Sequence, residues 1–287
     1  MPTVGERLRT ATVLLADAGI EGASREAEAL AAFALGVGRA ALAARRRDPF
    51  AGSALERFER AVARRAAREP TQYIIGRERF RNLNLRVGPQ ALIPRPETEG
   101  LVEAVLALGL RGGATVADLG TGTGCIAIAL ADERSDVRVC ALEVSPAALE
   151  LARANAAEAG LAHRIEFALG SMADPPSAWI ARCDAVVSNP PYVSEDDWRG
   201  LEPEVRDHEP KVALVPGPTG LEAYDPLADA ARRLLVPGGT LVAELGYDSE
   251  PGARAAVVRA GLRVVRVEPD FRGIARVLIA RRTEGAS

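Results

Sequence analysis

Asp118-Leu119-Gly120-Thr121-Gly122-Thr123-Gly124 is the stretch on which the fold turns. It ends a strand-like run, Thr115 to Leu119, and opens onto an apolar segment of helical character. A loop that leaves the C-terminal end of a strand and enters a helix is where doubly wound α/β sheets hold nucleotides. Glycine there lets the backbone turn sharply and lets a ligand approach without meeting a Cβ. The spacing narrows the choice of ligand. A dinucleotide fingerprint, G-x-G-x-x-G, needs glycine where this chain has Cys125, and no Gly-Lys-Ser/Thr follows to make a P-loop.

Working outward, strand-like runs recur at Val137 to Leu142, Ile165 to Leu169, Asp184 to Ser188, Thr240 to Leu245, Arg263 to Val267 and Ala275 to Ala280. Helical segments lie between most of them. Ser145-Pro146, an N-cap followed by proline at the first helical position, opens one that runs through Asn155. Alternation of this kind predicts a mostly parallel sheet with helices on both faces. The Gly120-Gly122-Gly124 form then resembles the loop of class I methyltransferases. The resemblance implies S-adenosylmethionine as cofactor, with Gly120, Thr121, Gly122, Thr123 and Gly124 around it. Glu143, at the end of the second strand, stands where an acid accepts ribose hydroxyls in doubly wound sites. Ser171 and Met172 follow the third strand, where similar methyltransferases place an acid and an aromatic near the adenine. Met172 can still cover an adenine face.

Ser188-Asn189-Pro190-Pro191-Tyr192 follows the fourth strand and is the most specific string in the chain. Downstream of a methyltransferase loop its composition suits methylation of a planar nitrogen. An amide nitrogen is a weak nucleophile because its lone pair is delocalised into the carbonyl. The side-chain oxygen of Asn189 and the carbonyl of Pro190 can each accept one N–H bond, and the prolines pre-aim these acceptors. Tyr192 can pack its ring on a flat amide or base. Asn189, Pro190 and Tyr192 are therefore the expected catalytic residues; with Pro191 they form the expected substrate contact, and Asn189 also borders the cofactor. Neither a metal nor a covalent nucleophile is needed.

Upstream, residues 1–69 read as a small helical bundle. Thr3 with Glu6 and Ser53 with Glu56 are capping-box pairs, and a further helix is expected after Ser24. Residues 70–95 read as a hairpin linker with strands at Gln72 to Gly76 and Leu83 to Val87, and residues 96–287 as the methyltransferase domain. Arg64, Arg65 and Arg68 are the densest basic cluster, read as a solvated helix face.

The 287 residues carry a net charge of -3, so no basic surface for a stable nucleic-acid partner is expected. Three cysteines without paired spacing argue against a disulfide framework, and two separated histidines against a zinc site. No run approaches the ~20 apolar residues needed to span a membrane, and Met1 to Arg9 lacks signal-peptide character. A reduced cytoplasm is the expected location.

The Asn-Pro-Pro-Tyr motif serves both adenine amino groups and glutamine amides, so the flanks decide. The chain resembles the HemK/PrmC family of peptide chain release factor glutamine methyltransferases. Arg68-Glu69-Pro70-Thr71-Gln72-Tyr73-Ile74-Ile75-Gly76 and Leu92-Ile93-Pro94-Arg95-Pro96-Glu97-Thr98-Glu99 carry the resemblance. So do Glu209-Pro210 with Ala213-Leu214 and Gly220-Leu221, and Glu244-Leu245-Gly246 with Arg276-Val277. The resemblance implies a seven-stranded Rossmann-like methyltransferase domain with a small helical domain and a hairpin linker. It implies methylation of the Gly-Gly-Gln glutamine of bacterial class I release factors, with the small domain gripping the factor. Pro94, Arg95 and Glu97 would then lie near the cofactor and substrate entrance. The other readings are glutamine methylation of another protein, such as a ribosomal protein, adenine-N6 methylation of nucleic acid, and a non-enzymatic cofactor binder.

Overall fold

The computed structural model describes residues 1–270 and 272–283. It divides into two compact units, Met1–Arg77 with Glu202–His208, and Glu78–Leu201 with the residues from Glu209 onward.

The first unit is helical: α1 (Val4–Asp17), α2 (Ala23–Leu35), α3 (Arg39–Ala44), α4 (Gly52–Ala66) and the single turn α5 (Thr71–Ile75). The predicted Thr3/Glu6 box forms; Thr3 N donates to the Glu6 carboxylate at 2.8 Å and Glu6 N to Thr3 Oγ1 at 3.2 Å. The Ser53/Glu56 box does not. Phe50 is fully buried and its N–H is tied to the Pro2 carbonyl, so the chain enters α4 at Gly52 and Ser53 falls inside the first turn. Likewise α2 starts at Ala23, one residue ahead of Ser24. Leu8, Leu15, Leu30, Phe58 and Ile74 fill the core around Phe50.

Two further expectations are corrected here. Gln72 to Gly76 is not a strand but part of α5, closed by Gly76 at φ +77°. Tyr73 and Ile74 bury on consecutive positions, which a helical turn allows and an edge strand would split between two faces. Of the basic cluster, Arg64 is exposed as expected and pairs with Glu69, but Arg65 and Arg68 are tied into the unit. Arg65 is buried, with its guanidinium 3.1 Å from Glu26 and 2.9 Å from Glu204. Arg68 contacts Glu202 and Glu204 at 2.9 and 2.7 Å. The acids Glu202 and Glu204, more than 130 residues downstream, belong to this unit.

The second unit opens with a hairpin, β1 (Arg77–Phe80) and β2 (Leu83–Arg86), and α6 (Glu99–Leu106). A seven-stranded sheet follows: β3 (Thr115–Leu119), β4 (Arg138–Glu143), β5 (Ile165–Leu169), β6 (Cys183–Ser188), β7 (Leu235–Glu244), β8 (Leu262–Pro269) and β9 (Ala275–Arg282). Their order is β5-β4-β3-β6-β7-β9-β8. The first five are parallel, and β9 runs antiparallel to both β7 and β8. Alternate residues bury on opposite faces. Val116, Val139, Val187 and Ile279 join one core, and Ala117, Cys140, Val186 and Leu278 the other. Burial on both faces is why these strands read as continuous apolar runs. The crossover helices are α7 (Cys125–Glu133), α8 (Pro146–Glu158), α9 (Glu195–Gly200), α10 (Tyr224–Leu234) and α11 (Glu250–Arg259). The predicted Ser145 cap is present: its hydroxyl accepts from Ala148 N. The order reverses at β3, so the C-terminal ends of β3 and β6 flank the switch point where such sheets bind ligands.

Candidate active site

The glycine loop is held before any ligand arrives. Gly120 N and Thr121 N both donate to the Leu142 carbonyl, at 2.8 and 3.0 Å, which ties the loop to β4. Thr121 Oγ1 donates to Asp118 at 2.6 Å. Asn155, buried on α8, donates to the Thr123 carbonyl at 2.9 Å and to the Arg86 carbonyl at 3.0 Å. Glu143 accepts from Gly122 N at 2.8 Å and from Ser145 N at 2.9 Å, so each carboxylate oxygen is aimed and still has a free lone pair.

The three glycines do different work. All have positive φ: +78° at Gly120, +57° at Gly122 and +83° at Gly124. A Cβ on Gly120 or Gly122 would meet open space, the side from which a ligand can reach the backbone. One on Gly124 would lie 3.0 Å from Ile128 Cδ1 and 3.2 Å from Ala152 Cβ, so this glycine is needed for packing against α8.

A cavity of about 320 Å³ opens beside the loop. Its walls include Gly120, Thr121, Gly122, Thr123, Glu143 and Met172 together with Asn189, Pro191, Pro94, Arg95 and Thr98. Val144 and Val212, both largely exposed, also line it. The structure thus brings together most of the sequence-predicted residues. Gly124, Ser171, Pro190, Tyr192 and Glu97 are not among the lining residues. Ser171 is exposed and its hydroxyl accepts from Ala173 N, a turn contact. Pro190 is buried. Tyr192 turns its ring onto Gly246, where an added Cβ would lie 2.7 Å from Cδ2. Arg95 pairs with the buried Glu209, whose second oxygen accepts from Ile93 N at 3.0 Å.

Four residues that sequence reasoning passed over organise this site. Asp118 is fully buried, and burial raises its carboxyl to about 7; its Oδ1 has no partner. Glu209 fixes Arg95 and the chain at Ile93. Thr98 and Glu244, both buried, join the reaction motif: Asn189 Nδ2 donates to Thr98 Oγ1 at 3.0 Å and Thr98 Oγ1 donates to Glu244 at 2.8 Å. Tyr192 donates to the other Glu244 oxygen at 3.0 Å. Burial raises the Glu244 carboxyl above its ordinary value, and burial beside Glu244 raises the Tyr192 phenol. Thr98 and Glu244 stood inside the quoted motifs, but their pairing spans 146 residues and no local pattern marks it.

Cys125, Cys140 and Cys183 are free and buried. Among the described residues no cluster of His, Cys, Asp and Glu could hold a metal ion. No helix among them is long and apolar enough to cross a membrane.

A switch-point cavity between a glycine loop and an Asn-Pro-Pro-Tyr turn, on a sheet with a reversed last strand, defines a methyltransferase of the Rossmann-like class. Residues 98–200 match the methyltransferase small domain model and residues 6–76 the PrmC N-terminal domain model. A solved methyltransferase from Pyrococcus furiosus shares the fold, with a TM-score of 0.50 at 20% identity over 70% of this chain and 89% of that one. The chain is 45% identical to a release factor glutamine methyltransferase of Cereibacter sphaeroides, over 96% of this chain and 97% of the relative. It is 40% identical to one of Moorella thermoacetica, over 98% and 99%. The chain belongs to the release factor glutamine methyltransferase family.

The cofactor of this class is S-adenosylmethionine, and the residues present fit it. Gly120 and Gly122 leave the room that a Cβ would fill, and Asp118 at the root of the loop keeps a buried oxygen, Oδ1, with no hydrogen-bond partner among the described residues. Glu143 offers two oriented oxygens for a diol.

Proposed function

We propose that this protein methylates the side-chain amide nitrogen of the glutamine in the Gly-Gly-Gln loop of bacterial class I release factors, using S-adenosylmethionine. The observation that carries the proposal is the joint one: 40–45% identity over nearly the full length of release factor glutamine methyltransferases, and Asn189 and Pro191 lining the same cavity as the glycine loop. The cofactor supplies an electrophilic methyl group on a sulfonium. The chain supplies position and electrostatics. Glu143 would hold the ribose and Met172 would cover the adenine. Asn189 Oδ1 and the Pro190 carbonyl accept the two N–H bonds of the glutamine amide. These acceptors would orient the nitrogen and stabilise the positive charge it gains; the N–C bond would form as the S–C bond breaks, with the sulfur leaving as a neutral thioether and one N–H proton lost to solvent. Tyr192 acts from behind the motif, bracing it through Gly246 and Glu244, and Arg95 with Glu209 borders the entrance. The helical unit, residues 1–77 with 202–208, grips the factor. The cytoplasm, where release factors work, is its proposed location.

The test is transfer of labelled methyl to a recombinant class I release factor and to its Gly-Gly-Ala variant. Label on the first alone supports the proposal. Label on both moves the acceptor to another residue. Label on neither, with cofactor bound, moves the substrate to another protein or to nucleic acid.

A further inference from the structure

The side-chain amide of Asn189 is useful only one way round. Its oxygen must face the substrate nitrogen, because an NH2 there would offer a donor to a donor. Oxygen and nitrogen of an asparagine have nearly the same shape, so shape alone does not choose between the two orientations. Hydrogen-bond polarity can choose, and the structure contains a buried chain that does so.

The chain starts at Glu244, at the C-terminal end of β7. Its carboxylate is almost wholly buried and faces two hydroxyls, Thr98 Oγ1 at 2.8 Å and Tyr192 Oη at 3.0 Å. Each carboxylate oxygen accepts one of the two, Oε2 from Thr98 and Oε1 from Tyr192, so both hydroxyls point their protons at it. Thr98 has one proton. Once it is committed to Glu244, the Thr98 oxygen is left with lone pairs alone, and the group 3.0 Å away on Asn189 has to be the donor, Nδ2. The Asn189 oxygen is thereby released from the protein side of the site. Thr98 lines the same cavity as Asn189, so the orientation is set at the wall itself.

We propose that Glu244, acting through Thr98, is a positioning residue that sets the amide orientation of Asn189 and, through Tyr192, the seat of the whole reaction motif. Thr98 and Glu244 need no contact with substrate for this. A protonated carboxyl at 244 would offer its proton to Thr98 or Tyr192, and one arm of the chain would reverse. A glutamine at 244 has the same defect by construction: one end accepts and the other donates, so it can hold Thr98 or Tyr192 in the native sense but not both.

The activity arm of the test rests on the proposed glutamine methylation; a second arm does not. The sequence has four asparagines, Asn82, Asn84, Asn155 and Asn189, so side-chain 15N labelling of asparagine gives a spectrum simple enough to assign by substitution. In the full-length wild type the Asn189 NH2 protons should be protected from exchange and show cross-relaxation to the Thr98 methyl. Thr98→Val, which keeps shape and removes the hydroxyl, should abolish the protection, and Thr98→Ser should restore it. With a release factor as substrate, Thr98→Val and Glu244→Gln should each lower kcat by about ten- to a hundred-fold, the range for a displaced catalytic group. KM for the factor and cofactor affinity should stay within about two-fold, as for a contact made in the transition state. Thr98→Ser should regain most of the rate. Unprotected Asn189 protons in the wild type, or unchanged protection and kcat in Thr98→Val, would overturn the proposal. A protected Asn189 in a wild type that methylates no release factor would overturn the functional reading and leave this one standing.

Discussion

Gly246→Ala tests whether the reaction motif is held from behind. Gly246 lies outside the left-handed region, so alanine meets no backbone strain. The new Cβ would lie 2.7 Å from Tyr192 Cδ2, 3.0 Å from Cγ and 3.2 Å from Cβ, whereas ordinary contact begins at 3.4 Å. Residue 246 cannot retreat, because its N–H donates to Tyr224 Oη at 3.3 Å and its carbonyl accepts from Ser249 Oγ at 3.0 Å. The tyrosine must therefore move by about 0.7 Å, the shortfall between 2.7 and 3.4 Å. It is bonded to Glu244 at its far end, so the motion passes into Asn189-Pro190-Pro191. Overpacking of this kind costs about 1–3 kcal/mol of stability. A displacement approaching ~1 Å at a positioned group costs up to about a hundred-fold in rate. The expected result is a modest fall in the unfolding midpoint, a ten- to hundred-fold fall in kcat by roughly that rule, and cofactor affinity close to wild type by calorimetry. A kcat within about two-fold of wild type, with the alanine seen in place, would refute the idea that Tyr192 braces the motif.

Other substitutions separate the remaining roles. Asn189→Ala should nearly abolish turnover while leaving cofactor affinity mostly intact by calorimetry, since the acceptor it removes acts in the transition state. Glu143→Ala should weaken cofactor binding in the same measurement and release the Gly122 and Ser145 N–H groups it now holds. Asp118 has a pH signature. Burial raises its carboxyl to about 7, so the folded chain binds a proton that the unfolded chain has released above about 4. Its contribution is therefore fully present below about pH 4 and is lost as pH rises to 7, by up to about 1.4 kcal/mol per pH unit. Thermal unfolding of the cofactor-free protein should show this slope, and Asp118→Asn should remove it. Arg65→Ala removes the partner shared by Glu26 and Glu204, and Glu204 keeps Arg68; the loss should stay below the ~3–5 kcal/mol of a fully stranded buried charge, read in denaturant titration.

Local signals carried much of this account. The capping box at Thr3, the cap at Ser145 and the seven strand cores of the sheet sit where short-range spacing placed them, because those features depend on neighbours within a few residues. Thr71 to Ile75 was misleading for the opposite reason. Consecutive Tyr73, Ile74 and Ile75 favour extended backbone by propensity, and the burial of Tyr73 and Ile74 in the helical unit overrides it. The arginines at 65 and 68 read as solvated because their acids, Glu202 and Glu204, lie far along the chain. The site followed the same rule. The glycine loop and Asn189-Pro190-Pro191-Tyr192 are contiguous and were legible. Glu244 to Thr98, Glu209 to Arg95 and Asn155 to Thr123 are distant pairings that exist only once the sheet has formed. Gly124 looked like a cofactor glycine, and only the position of Ala152 assigns it to packing.

The most direct test is peptide mass mapping of a class I release factor incubated with the protein and S-adenosylmethionine. The account predicts one added methyl group, on the glutamine of the Gly-Gly-Gln peptide, absent when Asn189 is replaced by alanine. An unmodified Gly-Gly-Gln peptide under conditions where the cofactor is bound, or a methyl group on any other residue, would contradict it.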